Sequence, residues 1–436
     1  MASASIEPFR AHVSDVVLAD LRERLAGTRW PEPIAGVGWT EGVDQSWLRR
    51  VVQHWETRFD WRIHEARLNA FPQFLVRLGE HRIHTLHARG RGPKPLPLIV
   101  THGWPGSVFE MLQLIPMLTD PVAHGGAAED AFDVVVPSIP GYGFSDIPTV
   151  PGTANAVVAD LWVQLMEALG YPRFGAQGGD WGAGISTWAA RQHPDRLVGL
   201  HLNYIPGSFR PWVDDEASLT REERAFLGEK QRWSDEEGAY GHIQATRPGT
   251  LGIGLTDSPA ALAAWILEKL RSWSDCDGDL ESRFTLDEVL ANVTLYWVTR
   301  TGASSIRLYR ESSLTPLQLG PGERIRVPMG FAHFPLEAPS PPRRWIERGY
   351  EVRHWTDQPR GGHFAAWEEP ELLARDIRAF FRPLRSFLPN RRYQGRGSGR
   401  FCPSAPIFLR MSPIDQPVSE ASVSASFACL SRSRSR

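Results

Sequence analysis

The 436-residue chain is long enough for one large α/β domain with insertions or for two ordinary domains, and its 42% hydrophobic and 22% charged content is ordinary for a soluble globular enzyme. A net charge of −2 gives no general reason to expect binding to nucleic acid or to an anionic membrane. Of the three cysteines only Cys276 lies in the body of the chain, which excludes an internal disulfide framework there and fits a reducing compartment.

Residues 1–92 are polar, Trp-rich and predominantly helical in pattern. The opening "MASASIEPFR" has no apolar h-region, so neither a signal peptide nor an anchor helix is expected. "SDVVLADLRERLAGTRWPEP" predicts a helix with Ser14 as N-cap and an end near Gly27. "SWLRRVVQHWETRFDW" reads as a second amphipathic helix, and "QFLVRLGEHRIHTLHARG" alternates as an antiparallel hairpin does.

Residues 93–205 change character. "PLPLIVTHGWPG", "FDVVVPSIPGYGFSD", "RFGAQGGDWG" and "RLVGLHLNY" each pair a short buried strand with a turn, and helical stretches such as "VVADLWVQLMEALG" separate them. That alternation predicts an α/β fold: a mainly parallel sheet flanked by helices. Residues 206–305 turn helical and irregular, as an inserted lid would, with "SPAALAAWILEKLRSW" and "TLDEVLANVTLYWVTR" as its clearest helices. Residues 306–385 return to the core with the strands "RIRVPMGF" and "YEVRHW". Residues 386–436 are Ser/Arg/Gly-rich, lack periodicity and are expected to be disordered. No stretch approaches the ~20 apolar residues of a membrane span.

The chemistry concentrates in "FGAQGGDWGAG". A strand, a Gly-rich turn and a helix form the nucleophile elbow that usually carries serine in G-x-S-x-G; here Asp180 occupies the apex. A carboxylate with an unperturbed pKa near ~3.9 is already anionic at neutral pH and needs no base to act as a nucleophile. Attack on an electrophilic sp³ carbon would give an alkyl ester, whose hydrolysis needs water, a base and oxyanion donors. His363 in "RGGHFAAWEEPELLARDIRAF" follows Asp180 in the chain as a base should; His102 in "THGWPGS" competes but lies upstream. Glu337 in "HFPLEAPSPPRRW" and Asp357 in "HWTDQPRGGH" are equal candidates for the acid that orients the histidine. Backbone N–H groups of Trp104 and Trp181 are the candidate oxyanion donors. "HRIHTLH" alternates like a strand and no His/Cys ligand set clusters, so neither metal nor cofactor is expected.

These motifs resemble the microsomal-type epoxide hydrolases, α/β-hydrolase-fold enzymes with an N-terminal helical region. The resemblance spans residues 5–384 and rests on "HGWPGS", "IPGYGFSD", "GGDWG", "HIQATRP", "DSPAALAAWILEKL", "LYWVTRTGASSIRLYRES", "FPLE" and "RGGHFAAWEEPELLARDIR". It implies Asp180 as nucleophile, His363 as base and, from "FPLE", Glu337 as acid. It further implies two lid tyrosines, Tyr240 in "GAYGHIQ" and Tyr309 in "IRLYRES", that polarise the epoxide oxygen. The expectation is a soluble, cytoplasmic enzyme converting an apolar or aromatic epoxide to a vicinal diol, with a homodimeric assembly left open. A haloalkane-type dehalogenase with the same triad, and an inactive small-molecule-binding relative, are the alternatives.

Overall fold

The computed structural model describes residues 4–387, so the Ser/Arg-rich tail lies, but for its first two residues, outside the described part. Nine strands form one sheet: β1 (Ser5–Phe9), β2 (Gln73–Leu78), β3 (His81–Ala88), β4 (Leu96–Thr101), β5 (Phe132–Pro137), β6 (Phe174–Gly178), β7 (Leu197–Leu202), β8 (Ile325–His333) and β9 (Tyr350–Asp357). Their spatial order is β1-β2-β3-β5-β4-β6-β7-β8-β9. β1, β2, β3 and β5 pair antiparallel, while β5, β4, β6, β7, β8 and β9 pair parallel. Every residue of β4, β5, β6 and β7 is buried, as strands covered by helices on both faces must be, and this is why each reads as an unbroken apolar or small-residue run.

The N-terminal region is helical over Asp15–Ala26, Gln45–Thr57 and Trp61–Leu68, with two departures from the sequence pattern. "SIEPF" forms the edge strand β1, and the second amphipathic stretch breaks after Thr57 because the Asp60 side chain caps a new helix through the Arg62 N–H. Ser14 and Gly27 bound the first helix as its N- and C-cap, although the Ser14 hydroxyl makes no capping bond. These helices hold the lid: Trp55 Nε1 donates to Thr294 Oγ1 at 2.9 Å, and His54 meets Asp287 at 2.7 Å.

Between β7 and β8 lie the six lid helices Arg221–Glu236, Ala239–Thr246, Pro248–Asp257, Pro259–Trp273, Leu286–Val298 and Gly302–Ser313. The last runs across residue 305, so the second core segment begins later than the sequence pattern placed it and Tyr309 is a lid residue in the helical sense. Among the described residues no single helix is long and apolar enough to cross a membrane.

Candidate active site

The loops that leave the C-terminal ends of β4, β6, β8 and β9 converge on one point, the usual location of a site in an open parallel sheet. Trp104 follows β4, Asp180 follows β6, Glu337 follows β8 and His363 follows β9. Asp180 opens the helix Asp180–Gln192 with φ 45°, a left-handed conformation that costs a non-glycine residue energy and lifts its side chain out of the turn. Tight passage explains the glycine two residues on: a Cβ at Gly182 would sit 2.0 Å from the Thr101 carbonyl oxygen.

His363 is mostly enclosed, its side chain 9% exposed, and its Nδ1 lies 3.0 Å from both carboxylate oxygens of Glu337, while its Nε2 lies 3.6 Å from Asp180 Oδ2. One nitrogen is thus held by a carboxylate and the other faces the elbow aspartate, the relation a base needs. Burial alone would push the imidazole down, but the carboxylates of Glu337 and Asp180 outweigh it and hold its pKa well above the ordinary histidine value. The histidine loop is itself fixed. Glu368 accepts from the N–H groups of Gly362 (3.0 Å), Phe364 (2.8 Å) and Asp275 (2.7 Å), and Asp275 accepts from the Gly361 N–H at 2.8 Å. Nothing in the sequence pattern distinguished Glu368 from a surface carboxylate of the helix that follows the histidine.

The competing candidates fall elsewhere. The Asp357 side chain is 75% exposed and binds His333 and Trp355 Nε1, away from His363. His102 is buried with Nδ1 on the Gly103 carbonyl (3.0 Å) and Nε2 accepting from the Ile139 N–H (3.3 Å); burial pushes it down to about 4. It is a neutral strut between the loops after β4 and β5.

Of the two oxyanion candidates, the Trp104 N–H donates to Asp180 Oδ1 at 2.6 Å. The loop that carries it is held from the lid by Asn292 Nδ2 on the Pro105 carbonyl (2.8 Å) and the Tyr296 hydroxyl on that of Gly106 (2.6 Å). The Trp181 N–H belongs to the first turn of the helix opened by Asp180, where N–H groups lack intrahelical acceptors. Above the carboxylate the rings of Tyr240 and Tyr309 meet edge-on, with centroids 5.8 Å apart. Tyr240 stacks on Trp104 at 5.4 Å and Tyr309 meets Trp181 edge-on at 4.6 Å. Burial first, then the charge of Asp180 or of the partner phenol, raises both tyrosines, so each stays a neutral donor.

A cavity of about 220 Å³ opens onto Asp180, Tyr240 and His363, with Phe226, Trp233, Trp273 and Trp345 among its walls and Lys230 beside them. Volume and walls suit a compact, largely apolar molecule.

Residues 6–111 match the epoxide hydrolase N-terminal family and residues 97–239 the alpha/beta hydrolase fold family. A Stigmatella aurantiaca protein provisionally named an epoxide hydrolase is 46% identical over 87% of this chain and 86% of its own length. Epoxide hydrolase 1 of Oryctolagus cuniculus is 38% identical over 86% of this chain and 88% of its own. The crystal structure of juvenile hormone epoxide hydrolase from Bombyx mori superposes with a TM-score of 0.76 at 34% identity, covering 88% of this chain and 95% of that one. With that degree of identity along nearly all of the folded chain, and with an α/β-hydrolase core that carries an aspartate at its elbow, the chain belongs to the epoxide hydrolase family and is a hydrolase of epoxides.

Proposed function

We propose that hydrolysis runs through a covalent ester on Asp180 and that the substrate is an apolar or aromatic epoxide. The observation that carries the reading is the placement of His363: Nδ1 on Glu337 at 3.0 Å and Nε2 turned to Asp180 at 3.6 Å. In the first step Asp180 attacks a ring carbon, the C–O bond breaks, and the departing oxygen takes a proton from the Tyr240–Tyr309 pair. In the second, His363 removes a proton from water as the water oxygen attacks Asp180 Cγ. The oxyanion that forms is held by the Trp104 and Trp181 N–H groups. Collapse expels the product oxygen, which takes the proton back from His363 and completes the diol. Asp180 is left as the acid, and the proton it then loses restores the tyrosine. The aromatic walls of the 220 Å³ cavity support the apolar substrate.

His363→Gln tests the scheme. Mixed with styrene oxide, the variant should gain the mass of one substrate molecule on the peptide that holds Asp180 and then stall. Diol formation with no such adduct, in a variant that still consumes epoxide, defeats the two-step reading.

A further inference from the structure

Asp180 and His363 also border a second, smaller cavity, lined by Glu110, Gln177 and Asn203, none of which lines the aromatic pocket. Its volume is about 20 Å³, which is room for one water molecule. Three of its polar atoms are buried and have no hydrogen-bond partner within the protein: Glu110 Oε1, Gln177 Oε1 and His363 Nε2. The Gln177 amide nitrogen is committed to Asn203 Oδ1 at 2.9 Å, which leaves its oxygen facing inward.

Glu110 is the unusual member. It stands in the short turn Val108–Met111, only 6% exposed. The carboxyl lies directly over Gly106, where a Cβ would fall 1.3 Å from Oε1. No other residue type at 106 leaves the carboxyl in place. A buried acid with an unanswered oxygen is costly unless something polar meets it.

We propose that Glu110 holds the water that hydrolyses the Asp180 ester. This rests on the two-step reading above. A water about to attack Cγ must give one hydrogen to His363 Nε2, and its second hydrogen needs an acceptor so that a lone pair stays aimed at carbon. Glu110 Oε1 is that acceptor, and Gln177 Oε1 lines the same small space. The alkyl group fills the aromatic side of Asp180 while water occupies the other, so hydrolysis does not wait for the organic portion to leave. Burial, working against the nearby His363, raises Glu110 to about 8. A neutral acid at pH 7 keeps its carbonyl-type acceptor and adds no second negative charge beside the forming oxyanion.

The test uses the full chain, styrene oxide and enzyme in excess, with the alkyl-enzyme followed by intact mass after rapid quench. Glu110→Gln and Glu110→Leu should form the adduct within about threefold of the wild-type rate. Glu110→Leu, which offers no acceptor, should hydrolyse it slower by on the order of 10²-fold, the usual effect of misplacing a reactant, whereas Glu110→Gln keeps a carbonyl oxygen and should recover most of that loss. Hydrolysis of the adduct at the wild-type rate in Glu110→Leu overturns the proposal, as does an equal loss in both steps, which a merely structural role predicts. Should the leucine variant fail to fold, Glu110→Met, flexible and equally without an oxygen acceptor, carries the test. His363→Gln run in parallel separates the two readings. No adduct there defeats the covalent scheme itself, whereas an adduct there with normal hydrolysis in Glu110→Leu defeats the water assignment alone.

Discussion

The lid tyrosines offer the sharpest measure of how the site handles developing charge. Tyr240→Phe and Tyr309→Phe each remove one hydroxyl and leave the rings on Trp104 and Trp181 at 5.4 and 4.6 Å. Folding stability should therefore drop by no more than ~1 kcal/mol, the worth of one hydrogen bond. Ring opening is a different matter, because the epoxide oxygen leaves as an alkoxide in a buried site. Loss of one preorganised donor costs ~2.7–4 kcal/mol, or ~10²–10³ in rate. On the proposed scheme one epoxide oxygen accepts from both phenols, and each single variant keeps one donor. The expectation is about a hundredfold loss in each single variant and at least 10⁴-fold in the double. Both phenols are raised above the ordinary tyrosine value, so the loss should be independent of pH from 6 to 9. Stopped-flow fluorescence of Trp104 and Trp181, which border the pair, separates ester formation from ester hydrolysis in one turnover. Ester formation near the wild-type rate in both single variants, or a loss confined to hydrolysis, refutes the assignment.

Two further predictions concern the frame around the site. Gly103→Ala would place its Cβ 2.3 Å from the Asp180 side chain, so the nucleophile must shift; an activity loss of about 10²-fold or more with a near-normal melting temperature is expected, and full activity would show the elbow to be pliable. Arg348 Nε donates to Glu223 Oε1 at 2.6 Å and its Nη2 to Oε2 at 3.0 Å, tying the first lid helix to the end of the helix before β9. The Glu223 side chain is fully buried, so Arg348→Met strands a carboxylate at a cost of about 3–5 kcal/mol, read by urea unfolding at pH 7. The Arg348 hydrogen bond holds Glu223 at about 2, below its ordinary 4.5. For a depressed acid the contribution is complete above the unfolded value and lost as pH falls through the folded one. The gap between wild type and variant should therefore narrow from pH 5 to 2, and a gap that stays constant would refute the pairing.

Much of the architecture was legible because it obeys one-dimensional rules. β4 to β7 announce themselves as unbroken buried runs, and Asp180 and His363 stand in glycine-bracketed turns whose chain order has a chemical meaning. What stayed hidden depends on burial that the local pattern does not encode. β1 escaped because an edge strand with Pro8 and three exposed residues lacks an apolar face. Glu337 and Asp357 were nearly equal by spacing, since one follows β8 and the other ends the adjacent β9; only in space does one side chain turn under His363 and the other into solvent. Glu110 and Glu368 escaped altogether. A carboxylate in a string of letters reads as surface, yet both are buried, one over Gly106 and the other beneath the histidine loop.

The charge state of His363 ties these parts into a sequence of events. In the free enzyme two carboxylates, Glu337 and Asp180, hold the imidazole protonated against the pull of burial. A protonated imidazole is useless as a base, and were it to stay so the ester would persist. On the proposed two-step scheme alkylation itself removes the obstacle, because the ester of Asp180 carries no charge. One of the two supports for the proton vanishes while burial continues to oppose it, so the pKa falls and the proton leaves to solvent at the moment a base is required, to be regained from solvent when Asp180 recovers its charge. Asp180→Asn reproduces the uncharged state without substrate. Its His363 pKa, followed by NMR of the labelled imidazole, should lie well below that of the wild type. The sign carries to stability as well. A raised histidine stabilises the fold below its unfolded pKa, and the contribution disappears as pH climbs through the folded value. Wild type should then lose more stability than Asp180→Asn between pH 6 and 10. Identical imidazole titrations in the two proteins would mean that Glu337 alone sets the proton, and that the first chemical step does not prepare the second.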